Sequence, residues 1–123
     1  HTSNAATALP RLLDMGIDPY LIASTLHIVI AQRLMRKSCI NCKHLSGEGC
    51  EACHFSGYKE RIGIFEVLVI DDDIRLAIMN RASSNDIARI ASNKKMTTMH
   101  DHGELHIHDG ITTPEELARV MYE

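Results

Sequence analysis

Residues 39–53 read CINCKHLSGEGCEAC, and this stretch holds every cysteine of the chain. The spacing is C-x2-C-x7-C-x2-C, made by Cys39, Cys42, Cys50 and Cys53. Each C-x2-C step places two thiolates on one side of a metal ion, and two steps supply the four sulfurs of a closed tetrahedral zinc site. Gly47 and Gly49 give the spacer freedom to turn back. We therefore predict a structural Zn²⁺ site, because four sulfur ligands leave no open position for catalysis.

The segment around these cysteines, residues 38–58, is rich in Gly, Ser, Asn and charged residues and has hardly any hydrophobic periodicity. Apolar burial alone cannot order such a loop. Structural zinc contributes about 10–16 kcal/mol in small peptides at neutral pH, which is as large as the stability of a whole domain. Two alternatives stay open. The thiols could form two disulfides, although the closed loops would be small. They could also form a redox switch, although a thioredoxin-like C-x2-C opens a helix after a strand.

Composition limits the class of protein. The chain has 123 residues, of which 45% are hydrophobic and 24% charged, as in an ordinary soluble domain. The formal net charge is −3 with histidines neutral, whereas nucleic-acid-binding domains are usually strongly basic. The richest apolar run, residues 20–31, is too short to cross a bilayer. Because the sequence begins at His1 without a Met or a leader, we expect a further N-terminal portion before it.

Local signals predict two helices before the cysteines. The first covers Asn4–Met15, with Gly16 as its left-handed cap and with a kink or a restart at Pro10. The second covers Pro19–Arg36 and begins after Asp18. Because its residues are apolar on most of the circumference up to Ala31, we expect this helix to be buried on several sides.

After the cysteines, the apolar and β-branched segment Arg61–Ile70 predicts a strand. Helices are expected after Asp71 and after Ser83 or Ser84, and a third over His100–Asp109 that ends at Gly110. The closing helix starts with a capping box and a proline in Thr113–Glu116. The predicted fold class is mainly α, with a short β element and a tetracysteine zinc knuckle.

Two other groups of side chains carry chemistry. His102 and His106 would stand one helical turn apart and could share a metal ion, although a solvated helix face with His100 and His108 is the favoured interpretation. Basic residues surround the cysteines: Arg33, Arg36, Lys37, Lys43, Lys59 and Arg61. They could attract an anionic partner. We favour a simpler role, in which they lie at a helix C-terminus and beside an anionic zinc–thiolate centre.

The order of short motifs along the chain resembles the C-terminal end of the secretion ATPases that power type II secretion and type IV pilus assembly. The succession runs from AQRL through the two C-x2-C steps to GYK and RIGIFE, and is too specific to expect by accident. The matching residues are His1-Thr2, Ala5, Leu9, Arg11-Leu12, Asp14-Met15-Gly16, Ile22-Ala23-Ser24, Ala31-Gln32-Arg33-Leu34, the four cysteines, Gly57-Tyr58-Lys59, Arg61-Ile62-Gly63-Ile64-Phe65-Glu66 and Gly110-Ile111-Thr112-Thr113.

This resemblance implies a cytoplasmic, hexameric motor that hydrolyses ATP with Mg²⁺, contacts neighbouring ATPase subunits and works on platform proteins at the inner membrane. It implies that His1 lies near the nucleotide, although Ser3 replaces the Asn usual after His-Thr. It also implies that the four cysteines form the family's zinc motif, here with a shortened spacer. The corresponding domains are the end of a RecA-like P-loop ATPase core over 1–37, the zinc knuckle over 38–58 and a small helical subdomain over 59–123.

No G-x-x-x-x-G-K-[ST] phosphate loop occurs in the 123 residues. We therefore expect this chain to transmit motion and to make contacts rather than to hydrolyse ATP alone, with no catalytic residue of its own. The alternative is a free-standing zinc module that binds nucleic acid or an acidic protein partner. The acidic net charge and the lack of stacking aromatic residues near the cysteines argue against the nucleic acid.

Overall fold

The computed structural model describes residues 3–43 and 49–122. In this part of the chain, six helices and a sheet of two paired strands are present. The elements are α1 Ala5–Asp14, α2 Pro19–Thr25, β1 Ile28–Ser38, β2 Tyr58–Val69, α3 Asp72–Met79, α4 Ser84–Asn93, α5 Met99–His108 and α6 Pro114–Tyr122, with a 3₁₀ turn at Glu51–Cys53. The prediction of a helix-rich chain with a small β element is confirmed. None of these helices has the length and hydropathy needed to span a membrane.

The first helix forms where it was predicted. The Asn4 side chain caps α1 by accepting a hydrogen bond from the Thr7 amide at 3.0 Å, and Thr7 closes the reciprocal half of the box. The helix continues through Pro10 to Asp14, so a second short helix does not start there. Gly16 follows with a φ of +84°, the left-handed conformation that favours glycine.

The predicted helix over Pro19–Arg36 is wrong. Helix α2 begins after Asp18 as expected but ends at Thr25, and the chain then forms strand β1. The run Ile28-Val29-Ile30 is β-branched, which favours a strand over a helix. Exposure along this strand alternates from residue to residue instead of staying low on all sides, as a pleated strand requires.

The predicted strand over Arg61–Ile70 is confirmed and is longer than expected, since β2 starts at Tyr58. The two strands are antiparallel, because the Ile70 amide donates to the His27 carbonyl and the Cys39 amide to the Gly57 carbonyl. These two bonds are twelve residues apart on the first strand and thirteen on the second. Strand β2 therefore contains one extra residue, and Glu60 with a φ of +68° marks the bulge.

The chain forms two compact units. Unit 1 contains the residues up to Gln32 together with Phe65–Met99, and unit 2 contains Arg33–Ile64 with the residues from His100 onward. Unit 1 is built on one aliphatic core. Its buried members are Ala5, Ala6, Leu9, Ile22, Ala23, Leu68, Ile70, Ile74, Ala77, Ile78, Ile87 and Ala91.

Unit 1 also contains a buried carboxylate in the middle of the apolar strand β2. The Glu66 side chain accepts a hydrogen bond from the Ala5 amide at 2.9 Å and from the Met99 amide at 3.1 Å. These amides open α1 and α5, where helix N–H groups have no partner within their own helix and the helix dipole favours a negative charge. Glu66 therefore accepts hydrogen bonds from the first amides of two helices.

The remaining helix predictions are confirmed by their caps. Asp71 caps α3 by accepting from the Ile74 amide at 3.0 Å, and Ser83 caps α4 by accepting from the Asp86 amide at 3.2 Å. Helix α5 covers the histidine segment. Thr113 caps α6 by accepting from the Glu116 amide at 3.2 Å, with Pro114 as its first residue.

Candidate metal centre

The four cysteines lie in the segment that connects the end of β1 to the start of β2. Cys39 directly follows β1, and Cys42 lies in the turn closed by the bond from the Lys43 amide to the Cys39 carbonyl. Cys50 precedes the 3₁₀ turn at Glu51–Cys53, and Cys53 ends it. The cysteines therefore follow a strand rather than a helix, contrary to the expectation from the sequence. The described residues after Cys39, up to Lys43, form a turn, which differs from the helix that a thioredoxin-like C-x2-C opens.

The structure brings the four sulfur atoms together, all within 4.8 Å of one another. The Cys39–Cys50 and Cys50–Cys53 sulfur distances are both 3.8 Å, and the Cys42–Cys53 distance is 3.9 Å. A tetrahedral zinc ion with Zn–S bonds of about 2.3 Å separates its sulfur ligands by about 3.8 Å. A disulfide needs an S–S distance of about 2.05 Å, and all four cysteines are free thiols. The residues therefore fit a tetrahedral ion.

Backbone amides point at the sulfur of Cys53. The amides of Cys50 and Gly57 each donate to it at 3.2 Å. The bond from Cys50 and then that from Gly57 outweigh burial and lower the pKa of the Cys53 thiol to about 6. Bonds from the backbone of Cys42 and Asn41 likewise lower the pKa of Cys39. Since the thiolate is the metal-binding form, these amides favour the ligand state at neutral pH.

The turn before Cys50 depends on Gly49. Its φ is +72°, and a Cβ atom at this position would lie 2.6 Å from the Phe55 carbonyl carbon and 2.8 Å from the Gly57 amide nitrogen. Both contacts are with backbone, which cannot move aside like a flexible side chain. The sequence predicted that glycine would allow the spacer to turn. Gly49 fits that prediction, whereas Gly47 lies outside the described residues.

Unit 2 holds the cluster through a buried carboxylate on helix α6. Glu116 is 1% exposed and accepts hydrogen bonds from the Arg36 amide at 2.8 Å and from both the Arg36 and Arg119 guanidinium groups at 2.7 Å. Burial alone would raise the pKa of Glu116, but the bonds from Arg119 and Arg36 hold it at about 2. The carboxylate is therefore ionised at neutral pH and fixes the end of β1, three residues before Cys39.

Further contacts fasten the same strand ends. The Ser38 amide donates to the Ile111 carbonyl at 2.8 Å, and the Thr112 hydroxyl donates to the Arg36 carbonyl at 2.8 Å. The Tyr58 and Thr113 hydroxyls lie 2.7 Å apart. The Arg36 guanidinium also stacks over the Tyr58 ring, 4.2 Å from its centre, in a cation–π contact. The first residues before and after the cysteine segment are thus fixed by unit 2 itself.

Three of the basic residues near the cysteines have partners in unit 2. Arg33 donates to the Val120 carbonyl, Arg36 pairs with Glu116, and Lys37 pairs with Glu60 at 2.8 Å. The explanation by a helix C-terminus is wrong for these three residues, because they lie on strand β1. Lys37, Lys43 and Lys59 also line a cavity of about 370 Å³ beside Cys39.

The other predictions of site residues concern histidines. His1, predicted to lie near a nucleotide, is outside the described residues. The histidines of α5 do lie on a helix, and the rings of His102 and His106 are 4.9 Å apart between their centres. Within residues 3–43 and 49–122, the four cysteines are the only group of three or more side chains placed to hold one metal ion.

Sequence reasoning missed the two buried carboxylates. Glu66 is the single acidic residue among the apolar residues 62–70, and a lone charge in a buried strand was the signal that could have found it. Glu116 was noticed only as part of a capping box. Its bonds to Arg36, eighty residues away in the sequence, carry no local signal.

Comparisons with known proteins identify the family of this chain. Residues 1–119 match the family described as Type II/IV secretion system protein. The chain belongs to this family. The secretion-ATPase resemblance read from the motifs is therefore confirmed.

Several relatives align with nearly the whole chain. It is 41% identical to the type II secretion system protein HxcR of Pseudomonas aeruginosa, with 98% of this chain and 27% of the relative aligned. It is 40% identical to the type II secretion system protein E of Dickeya dadantii, with 100% and 28% aligned. It is 38% identical to the type IV pilus assembly ATPase PilB of Thermus thermophilus, with 98% and 16% aligned. The chain thus spans less than a third of these relatives.

Among solved structures, the fold is similar to that of the Legionella pneumophila ATPase DotB. The TM-score is 0.64 at 19% sequence identity, and the match covers 97% of this chain and 29% of that protein. This similarity shows a shared fold.

Proposed function

We propose that this chain is the C-terminal, zinc-binding portion of a hexameric ATPase that powers type II protein secretion or type IV pilus assembly. Its role is to stabilise the structure and to transmit the motion of the motor. It holds a zinc-ordered surface at the end of two long strands and contacts neighbouring subunits and inner-membrane platform proteins. In this proposal, the protein acts in the cytoplasm, peripherally at the inner membrane. The observation that carries the zinc assignment is the convergence of four free thiols within 4.8 Å of one another, with three sulfur distances of 3.8 to 3.9 Å.

Cys39, Cys42, Cys50 and Cys53 would hold the ion. When bound, zinc supplies a closed tetrahedral centre that orders the chain and leaves no position for a substrate. Other groups of the chain stabilise and position these ligands. Cys50 and Gly57 amides stabilise the Cys53 thiolate, and Glu116 fixes the strand that leads into Cys39.

ATP and Mg²⁺ would be bound by a protein of the relatives' length. The sequence of this chain contains no phosphate-binding loop, and His1 is the one residue that the family resemblance brings close to the nucleotide. In the proposed domain division, residues 1–37 end the ATPase core, residues 38–58 form the zinc knuckle and residues 59–123 form the helical subdomain. Motion of the core would then reach the knuckle along β1.

A surface beside the cysteines suits a contact role. The cavity next to Cys39 is lined by Lys37, Lys43 and Lys59 against the single acid Glu60, with Ile40 and Ile111 as apolar walls. Ile40 is 80% exposed and Phe55 66% exposed. A positive surface with exposed apolar side chains on a chain of net charge −3 complements an acidic protein surface.

A pair of chimeras tests this function. In one, this chain replaces the matching segment of Pseudomonas aeruginosa HxcR, and in the other that of Thermus thermophilus PilB. Restored secretion in the first or restored piliation in the second supports the proposal and separates the two processes. The matched controls carry Cys50→Ser, which should abolish the restored activity, and Glu51→Gln, which changes an exposed neighbour and should preserve it. Two well-expressed chimeras that restore neither process, or a Cys50→Ser chimera with full activity, would contradict the proposal.

A further inference from the structure

Helix α5 carries a pair of histidines that no part of the cysteine site uses. His102 and His106 are four residues apart on this helix, the spacing that places two side chains on one face, one turn apart. Their ring centres are 4.9 Å apart and the ring planes are inclined by 33°. Both side chains are half-buried. Both residues lie in unit 2.

The separation of the rings fits joint binding of one ion. A metal bound to an imidazole nitrogen at about 2.1 Å lies about 3.2 Å from the ring centre. Two ring centres 4.9 Å apart then subtend an angle of roughly 100° at the metal. This angle lies between the octahedral and tetrahedral values for neighbouring ligands. The helix therefore holds the two rings at a distance that suits joint binding of one ion, and its backbone does not need to change.

A backbone carbonyl on β2 orients one of the two rings. The His106 Nε2 atom is 3.3 Å from the Gly63 carbonyl oxygen. Since a carbonyl only accepts, Nε2 must carry the proton of this bond, and the neutral ring then has its lone pair on Nδ1. Histidines that bind metals commonly donate their other ring nitrogen to a carbonyl or carboxylate in this way. The Gly63 contact therefore favours the ligand tautomer of His106.

The other two histidines of α5 have different neighbours. His100 lies 3.7 Å from the Glu104 carboxylate, and His108 lies 3.5 Å from the Asp109 carboxylate. His108 is also at the end of the helix and exposed. These two residues therefore serve as internal controls for binding by histidine in general.

We propose that His102 and His106 form a second metal site, separate from the cysteines, for a divalent transition ion such as Ni²⁺ or Cu²⁺. Imidazole ligands suit these ions rather than Mg²⁺ or Ca²⁺. Two protein ligands with water in the remaining positions make a site that exchanges its ion readily. A bound ion would join successive turns of α5 and, through His106, brace that helix against β2.

Nickel titration of the chain that holds one zinc on its four cysteines, followed by calorimetry, tests this site. His102→Ala is the informative variant because it leaves the His106–Gly63 contact intact. We expect it to weaken nickel binding roughly tenfold or more, whereas His108→Ala and a His100→Ala/His108→Ala double variant bind as the wild type does. The melting temperature should rise with nickel in the wild type and stay constant in His102→Ala. Circular dichroism without nickel checks that each variant folds.

The proposal is overturned if His102→Ala binds nickel as tightly as His108→Ala. It is also overturned if the double variant loses binding, because the exposed histidines would then account for it. Zinc content, measured separately in each variant, keeps this result independent of the cysteine site.

Discussion

Unit 1 has a core of aliphatic side chains, whereas unit 2 adds buried cysteines and an ion-paired carboxylate to its buried apolar residues. In unit 1, twelve buried residues from helices α1 to α4 and the end of β2 form one core. In unit 2, the buried groups include Cys39, Cys53 and the ion-paired Glu116. Apolar burial is non-directional and tolerates small changes, while a thiolate cluster and a buried carboxylate require fixed partners. We therefore expect the two units to respond to different perturbations.

The largest effect should come from Cys50→Ser. Losing one of four sulfur ligands should remove zinc and disorder the segment around the cysteines, because structural zinc contributes about 10–16 kcal/mol in small peptides. Hydrogen exchange should show loss of protection over residues 39–58 and retained protection in α3 and α4. Glu51→Gln in the same turn is the control and should keep its metal. Equal protection of residues 39–58 in both variants would show that the sulfurs do not order this unit.

The second effect should come from Leu9→Ala in unit 1. Leu9 is completely buried, and truncating such a leucine costs about 3–5 kcal/mol through lost burial and the remaining cavity. Chemical denaturation should report this loss, while the metal content stays that of the wild type. Leu105→Ala, at a residue that is 57% exposed, is the matched control and should cost less than about 1 kcal/mol. A similar loss in both variants would contradict the assignment of the core.

The third effect depends on pH. The pKa of Glu116 is about 2 in the folded chain, below the value of about 4.3 for a free glutamate. A lowered pKa stabilises the fold above the unfolded value, so this contribution is present above about pH 4.5 and disappears as the pH falls towards 2. Its size is at most about 3 kcal/mol.

Glu116→Gln isolates this titration. The variant should be less stable at pH 7, by about 2 kcal/mol, the contribution of hydrogen bonds to a charged group, and should lose less stability than the wild type between pH 4.5 and 2. Urea denaturation at a series of pH values measures both. Parallel stability curves for the two proteins would show that another group carries the acid sensitivity.

The smallest effect should come from the exposed pair of Lys37 and Glu60. Their distance of 2.8 Å resembles that of the Glu116 pairs, but both side chains are open to solvent. Exposed ion pairs contribute little to stability because solvent screens them, so Glu60→Gln should leave the free energy of unfolding close to that of the wild type. A loss as large as that of Glu116→Gln would mean that burial does not distinguish the two pairs.

Local chemistry predicted the starts of helices in both units but did not predict the pairing of the strands. Asp71, Ser83 and Thr113 gave the starts of three helices correctly, because a cap acts within one turn of its own residue. The run after Thr25 was misread as helix, since a short apolar segment fits a buried helix as well as a strand. Its pairing with β2, seen in the bond from Ile70 to His27, comes from residues more than forty positions away.

In the candidate metal site as well, some features could be predicted from the sequence and others could not. The cysteine spacing alone indicated which four residues converge, because a C-x2-C step restricts where both sulfurs can lie. The supports of the site could not be predicted. Glu116 reaches Arg36 across eighty residues, and the Gly57 amide reaches Cys53 only because β2 begins there. Spacing identifies ligands, while tertiary structure selects what orients them.

Metal analysis of the purified chain, combined with X-ray absorption at the zinc edge and a count of free thiols, decides whether the four cysteines bind one zinc ion. We expect one zinc per chain, four sulfur neighbours at about 2.3 Å and four thiols recovered after the metal is removed under denaturing conditions. A zinc content far below one per chain, or sulfurs joined in disulfides, would contradict this expectation.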